Sequence, residues 1–356
     1  MSTRHSCAFA LLATLAITPV TLAEPPRPLG DSTIVAPVPF PGYPEGIAVH
    51  ANRIYVSGPA AFGVPGNAQP SKIFAFNLKT GALEQTIAIQ GQMGPLKAAS
   101  CLTVADNGMI YVVEEEQGIL KINPKTGQQT TYAGPFYPVY ASPFNTTGAP
   151  YLLNDLAFDK NGYLYVTDSF QATIWRVPPG GGAPQVWFQS PVVDGVFGPN
   201  GARVDPTTNM LYFTVTLDGT GSGYVYRLPL KNNPVAADLQ VVHHYAPTPF
   251  GPQAPDGIAF GKSGQLYVAL AGSSQISVLN PNGTEAARYS GPARNPAGGP
   301  ALPWANPANI AFNHQTDSLL VTNHASLTGL PDPSPLFAVF DVYVNDKAAK
   351  TFTPNH

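Results

Sequence analysis

The chain has 356 residues, a net charge of −3 and only 11% charged residues, with no Lys/Arg run, so a nucleic-acid-binding surface is excluded. An apolar fraction of 44% excludes wholesale disorder. Thirty-four glycines and 39 prolines in so weakly charged a chain point to many short strands joined by turns, an all-β fold rather than long helices.

Residues 1–23 read as a secretory signal peptide: Arg4 near the start, an apolar stretch from Ala8 to Val20, and small residues before a cut after Ala23. That apolar stretch is short for a bilayer span, the alternative being a retained anchor. The expectation is a secreted or periplasmic protein, free of the membrane once the leader is removed, with residues 24–356 as one domain. Cys101 is then the single cysteine of the mature chain, without a partner for an internal disulfide. Its setting, "ASCLTVAD", reads as a packed thiol in a strand.

Six segments align along the chain: "PEGIAVHANRIYVSG" from Pro44, "ASCLTVADNGMIYVVE" from Ala99, "LNDLAFDKNGYLYVTD" from Leu153, "PNGARVDPTTNMLYFTV" from Pro199, "PDGIAFGKSGQLYVAL" from Pro255 and "PANIAFNHQTDSLLVTN" from Pro307. Each has a short apolar strand, a polar turn and a second strand, usually hydrophobic-Tyr-Val, and a third strand often follows. The repeats start at steps of 55, 54, 46, 56 and 52 residues, the spacing of propeller blades. Such a unit cannot bury both faces alone, and packing it against its neighbours in a closed ring does so. The expected fold is therefore a six-bladed β-propeller. Its sixth blade would be completed by residues 24–43 or by the C-terminal "FAVFDVYVND".

The first strand of each blade should line the central channel. Equivalent positions then form a ring at one channel mouth: Glu45, Ser100, Asn154, Asn200, Asp256 and Ala308. Four of these six bring carboxylate or amide oxygens and none brings Cys or His, the preference of Ca²⁺ (or another hard divalent cation) rather than a softer metal. Two carboxylates buried together without a cation are costly, which also favours a metal. Taken singly, Pro-Glu-Gly, Pro-Asn-Gly and Pro-Asp-Gly are also ordinary turn formers.

These motifs resemble the SMP-30/gluconolactonase family, similar to the paraoxonase and diisopropylfluorophosphatase calcium propellers. The resemblance runs through all six repeats, and "YPEG", "YLLNDLAFD", "GPNGARVD" and "APDGIAF" carry its order of Glu, Asn, Asn and Asp. It implies that Glu45, Asn154, Asn200 and Asp256 hold a catalytic Ca²⁺, that Asp256 and Asn154 serve catalysis, and that the substrate is a small lactone or related ester. Asp256 is the candidate base or nucleophile, or a metal ligand only. Leu152 stands where the gluconolactonases carry a sugar-holding Arg, which argues against a free sugar lactone. The aromatic and Pro-rich loops "AGPFYPVYASPFNTTGAPY", "YAPTPFGPQAP" and "GPALPWANPA" precede ligand strands and should shape an apolar pocket for a hydrophobic substrate.

Around this ring, Ser100 is expected to reach the metal through a water, Asp155 to support it or to sit in a solvated turn, and His324 to be a rim or surface-loop histidine. Glu114 to Glu116 read as a solvated acidic turn, and His243 and His244 as structural. A monomer is expected. The competing reading is a non-catalytic ligand- or protein-binding propeller in which Ca²⁺ only fastens the ring.

Overall fold

The computed structural model describes residues 27–60, 68–94 and 97–354; the expected signal peptide lies outside them. Twenty-four strands form six four-stranded antiparallel sheets. The six innermost strands are Ile47–His50, Ala99–Val104, Leu153–Phe158, Phe197–Val204, Pro255–Phe260 and Pro307–Asn313, and they contact one another in ring order around a central channel. The architecture is the six-bladed propeller expected from the repeats. Among the described residues, no helix is long and apolar enough to cross a membrane.

Both candidate segments complete the sixth blade. Ala338–Tyr343 is its third strand, and Ser32–Pro37, from the other end of the chain, pairs antiparallel with it as the outer strand. Arg27 binds Asp341 at 2.7 Å and Arg294 binds Asp31 at 2.7 Å, so ion pairs flank the seam.

The core consists of slabs between adjacent blades. Tyr55, Ile73 and Ile87 of the first blade meet Leu102, Val112 and Ile122 of the second, and equivalent sets recur around the ring. Both faces of a blade are therefore covered. This explains why second strands such as Ile110–Glu114 and Leu164–Asp168 are buried at every position instead of alternating. The turn between first and second strands needs a left-handed residue. Gly108, Gly162 and Gly264 supply it at φ of 84° to 86°, and Asn209 and Asp317 stand in their place in the fourth and sixth blades.

The outer strand Ser32–Pro37 covers the edge of Ala338–Tyr343, an otherwise open hydrogen-bonding edge. A chain beginning at Val38 should unfold at a clearly lower temperature than one beginning at Arg27, or aggregate, and thermal denaturation of the two checks this.

Candidate functional site

Local irregularity, rather than regular strand geometry, aims the ring residues inward. The pairing of first and second strands slips by one residue at Leu153/Leu156, Pro199/Ala202, Pro255/Ile258, Pro307/Ile310 and Ala99/Leu102. In the first blade the Glu45 N–H donates to the Ser57 carbonyl, and the Ser57 N–H to the Gly46 carbonyl, so two residues face one there as well. A β-bulge of this kind directs two consecutive residues where a regular strand directs one. In three blades the approach to the bulge carries a further kink. Tyr43, Ala254 and Asn306 have φ of 45° to 53° and are followed by Pro44, Pro255 and Pro307.

A girdle of hydroxyls then holds five of the six ring backbones, the fifth blade having Ala269 where four others supply the donor to the next ring position. Ser57 Oγ donates to the Ser100 carbonyl, Thr167 Oγ1 to that of Asn200 (2.6 Å), Thr214 Oγ1 to that of Asp256 (2.9 Å) and Thr322 Oγ1 to that of Glu45 (2.9 Å). Each bond passes from the second strand of one blade to the first strand of the next. The second blade has Val113 at this position, and Ser100 Oγ serves instead by donating to the Asn154 carbonyl at 2.9 Å. Ser100 thus fastens backbone through its hydroxyl proton.

The four expected ligands are all buried, and their side chains are oriented by neighbours. Asn200 Nδ2 donates to Thr216 Oγ1 at 2.9 Å, which leaves Asn200 Oδ1 without a partner. Asn154 Nδ2 donates to Ser169 Oγ at 3.4 Å, leaving its oxygen only a long contact with Cys101 Sγ at 3.9 Å. Asn200 and the Gly257 N–H oppose the rise of the Asp256 pKa, yet its Oδ1 is buried and unpartnered. Orphaned buried acceptors are rare, and two of them, Asn200 Oδ1 and Asp256 Oδ1, belong to ring positions of neighbouring blades.

The electrostatics agree. Burial, followed by the charges of Asp256 and Asp155, pushes the Glu45 carboxyl well above its ordinary range. Burial, followed by Asp155, does the same to Asp256 against the opposing hydrogen bonds from Asn200 and Gly257. His324 does not balance them. It is buried beside Glu45, with Nε2 at 3.6 Å from Oε2 and its ring edge-on to Tyr43, and burial lowers its pKa to about 4. At neutral pH this is a neutral imidazole against a carboxyl group, not an ion pair. The surface-loop reading of His324 is corrected, because the residue is buried against Glu45 and Tyr43.

A second polar layer lies one residue further along the bulges. Asp155 accepts from the Ala202 N–H at 2.9 Å and from Arg203 at 2.7 Å, with only 1% of its side chain exposed. Arg203 reaches on to Asn309 Oδ1 at 3.4 Å, and Asn309 Nδ2 donates to Cys101 Sγ at 2.8 Å. Asp155 is therefore a channel residue, not a solvated turn, and Cys101 is buried against amides rather than in a purely apolar strand. Gly46, Gly201 and Gly257 occupy the same position in the other three blades and leave room for this layer. A Cβ on Gly257 would lie 2.7 Å from Asn309 Cα. Beyond the layer lies a cavity of about 170 Å³, lined in part by the C-terminal residues Ala348 to Phe352.

The acidic turn is also corrected. Glu114 and Glu115 are buried, and they hold loops: Glu114 accepts from Gln92 and from the Glu116 and Gln117 N–H groups, and Glu115 from the Leu153 N–H. Among the described residues there is no group of three or more His, Cys, Asp or Glu that could hold a metal, and the ring brings two buried carboxyl groups and two buried amides. His243 and His244 lie in the outer strand of the fourth blade, bonded to the Gly283 carbonyl and stacked on Tyr224.

The aromatic loops divide their residues. Trp304 and Phe136 enter interblade cores, and Phe250 is fully exposed. Leu152, Ala149 and Phe170, with Phe197, form a small apolar cluster next in sequence to Asn154 and Asn200. Sequence reading missed Arg203, Asn309, Ser169 and Thr216. The signal for the hydroxyl girdle was present, since "YVSG", "YVTD", "YFTV" and "LVTN" place Ser or Thr at one repeat position.

Residues 69–325 match the family described as SMP-30/Gluconolactonase/LRE-like region. Lactonase drp35 of Staphylococcus epidermidis is 23% identical over 231 residues, 53% of this chain and 68% of that protein. Lactonase drp35 of Staphylococcus aureus is 28% identical over 145 residues, 39% and 41% of the two chains. Among solved structures, regucalcin from Agrobacterium tumefaciens, a calcium-binding protein, has a TM-score of 0.62 at 17% identity over 88% of this chain and 94% of that one. A gluconolactonase from Xanthomonas campestris has a TM-score of 0.55 at 15% identity over 89% and 99%. At such identities the structural likeness shows the fold alone.

Two outcomes follow from the girdle and the buried carboxyl groups. Thr167→Val strips the donor from the Asn200 carbonyl and the acceptor from the Asp155 N–H, and chemical denaturation should show a loss of about 1–3 kcal/mol. With their raised pKa values, folded Glu45 and Asp256 hold protons that the unfolded chain has released. Their contribution to stability is full below the unfolded pKa values, near 4.5 and 3.8, and is lost as pH rises through the folded ones. In chelator, the melting temperature of the wild type should therefore drop more steeply than that of Asp256→Asn as pH rises from about 5 to 8; parallel curves would count against the assignment.

Proposed function

Because the chain belongs to the SMP-30/gluconolactonase/LRE-like family, we propose that it is a hydrolase of a lactone or related ester, dependent on a divalent cation, with Ca²⁺ the expected ion. The observation that carries this reading is the pair of unpartnered buried oxygens, Asn200 Oδ1 and Asp256 Oδ1, in a ring completed by Glu45 and Asn154. The relatives named lactonases support the reaction class.

The donor set suits a hard cation: two carboxylates and two amide oxygens, with no sulfur or imidazole among them. Glu45, Asn154, Asn200 and Asp256 would hold it. When bound, such an ion supplies Lewis acidity toward a carbonyl oxygen and stabilises negative charge developing there.

The remaining work belongs to the chain's own side chains. Asp256 is the candidate to take a proton from attacking water, or to act as nucleophile, because it is a buried carboxyl group with two oxygens, of which a cation need take only one. Thr216 and Ser169 hold the amide nitrogens of Asn200 and Asn154 and so turn their oxygens away from those partners. Neutral His324 lies against Glu45 and adds no positive charge to the ring. The apolar cluster of Leu152, Ala149, Phe170 and Phe197 favours a hydrophobic substituent on the substrate over a free sugar. Secretion to the periplasm or the exterior, and action as a monomer, are part of the same proposal.

The test joins metal content to turnover. Purified protein should bind Ca²⁺ and turn over some member of a panel of aliphatic and aromatic lactones and aryl esters, with chelator abolishing activity. Asp256→Asn should lower kcat at least ~100-fold, and Glu45→Gln should weaken calcium binding in calorimetry. Bound calcium without turnover of any panel member would favour a binding propeller fastened by its ion; no calcium at all would overturn the proposal.

A further inference from the structure

Arg203 is the odd member of its repeat position. Three residues past each ring position the six blades carry Ala48, Thr103, Ala157, Arg203, Ala259 and Ala311. Five of the six are Ala or Thr, and all six line the channel just beyond the polar layer. One long cationic side chain therefore enters a space that the other five blades leave open for it. Its guanidinium donates to Asp155 Oδ2 at 2.7 Å, to the Ala202 carbonyl at 2.6 Å and to Asn309 Oδ1 at 3.4 Å.

The charge balance gives this placement a consequence. The ring brings Glu45 and Asp256, and Asp155 lies close enough to act electrostatically on both. Three ionised carboxylates would give −3. Arg203 is ion-paired to the third and brings the channel to −2. Lys350, the other cation lining the far cavity, is exposed and lies over the Phe352 ring. A channel of −2 is matched by a divalent cation, whereas one of −3 would favour a trivalent one.

We propose that Arg203, through its ion pair with Asp155, is the residue that sets the ring's preference for a divalent cation. It acts through field and position and touches no substrate. The inference rests on the reading of the ring as a metal site, and the assay separates the two.

Isothermal titration of chelator-treated protein with Ca²⁺ and with La³⁺ gives a ratio of affinities. Arg203→Met should shift that ratio toward La³⁺ by on the order of tenfold. Arg203→Lys should keep the wild-type ratio, because it keeps the charge and loses the fork. Arg203→Met with Asp155→Asn restores −2 and should return the ratio. Asp155→Asn alone, which keeps Arg203 and most of the hydrogen bonds, should shift it toward Ca²⁺ and tests the proposal even if Arg203→Met does not fold. Circular dichroism and melting temperature identify folded variants. An unchanged ratio in folded Arg203→Met, or in Asp155→Asn, overturns the role of Arg203 while leaving the metal site standing. Absence of binding of either ion to wild type overturns both.

Discussion

A four-stranded blade has two apolar faces and no way to bury them alone. Every slab of core in this protein lies between blades, so each blade is stable only while both neighbours are in place. That dependence makes closure the governing constraint. The last seam joins the two ends of the described chain, with Ser32–Pro37 pairing against Ala338–Tyr343. Closure also creates the channel, because six first strands meeting in a circle cannot all approach the axis.

The site uses that leftover space. Residues at the axis leave bulk water without entering an apolar core, and Glu45 and Asp256 carry the resulting penalty as strongly raised pKa values. Bulges turn these side chains inward, and hydroxyls from neighbouring blades hold the carbonyls on either side. The same bonds that tie blade to blade thus position the ring. Stability and site geometry are coupled in one hydrogen-bonded girdle.

The axis is layered by chemistry. The ring of Glu45, Asn154, Asn200 and Asp256 is followed by the layer of Asp155, Arg203, Asn309 and Cys101, and then by a cavity lined in part by the C-terminal residues. Arg203 and Asp155 satisfy one another, while the ring retains two carboxylates and two orphaned oxygens. Arg203 pairs with Asp155 in the second layer, whereas burial pushes Glu45 and Asp256 of the ring toward their neutral forms.

The repeated phrase and its spacing determined, by themselves, the blade count, the antiparallel units and the ring positions of Glu45, Asn154, Asn200 and Asp256. Strand periodicity and turn chemistry are local, so they are written in neighbouring residues. The burial of Glu114 and Glu115, the packing of His324 against Glu45 and the pairing of Arg203 with Asp155 were decided by the tertiary structure. Each depends on residues from different blades meeting across the axis or across a loop. His324 and Glu45 are far apart in the chain and are neighbours only because the ring closes. Arg203 appears in sequence as one unremarked residue after "PNGA". Its role exists only where five small side chains from the other blades surround it, and no local pattern encodes that enclosure.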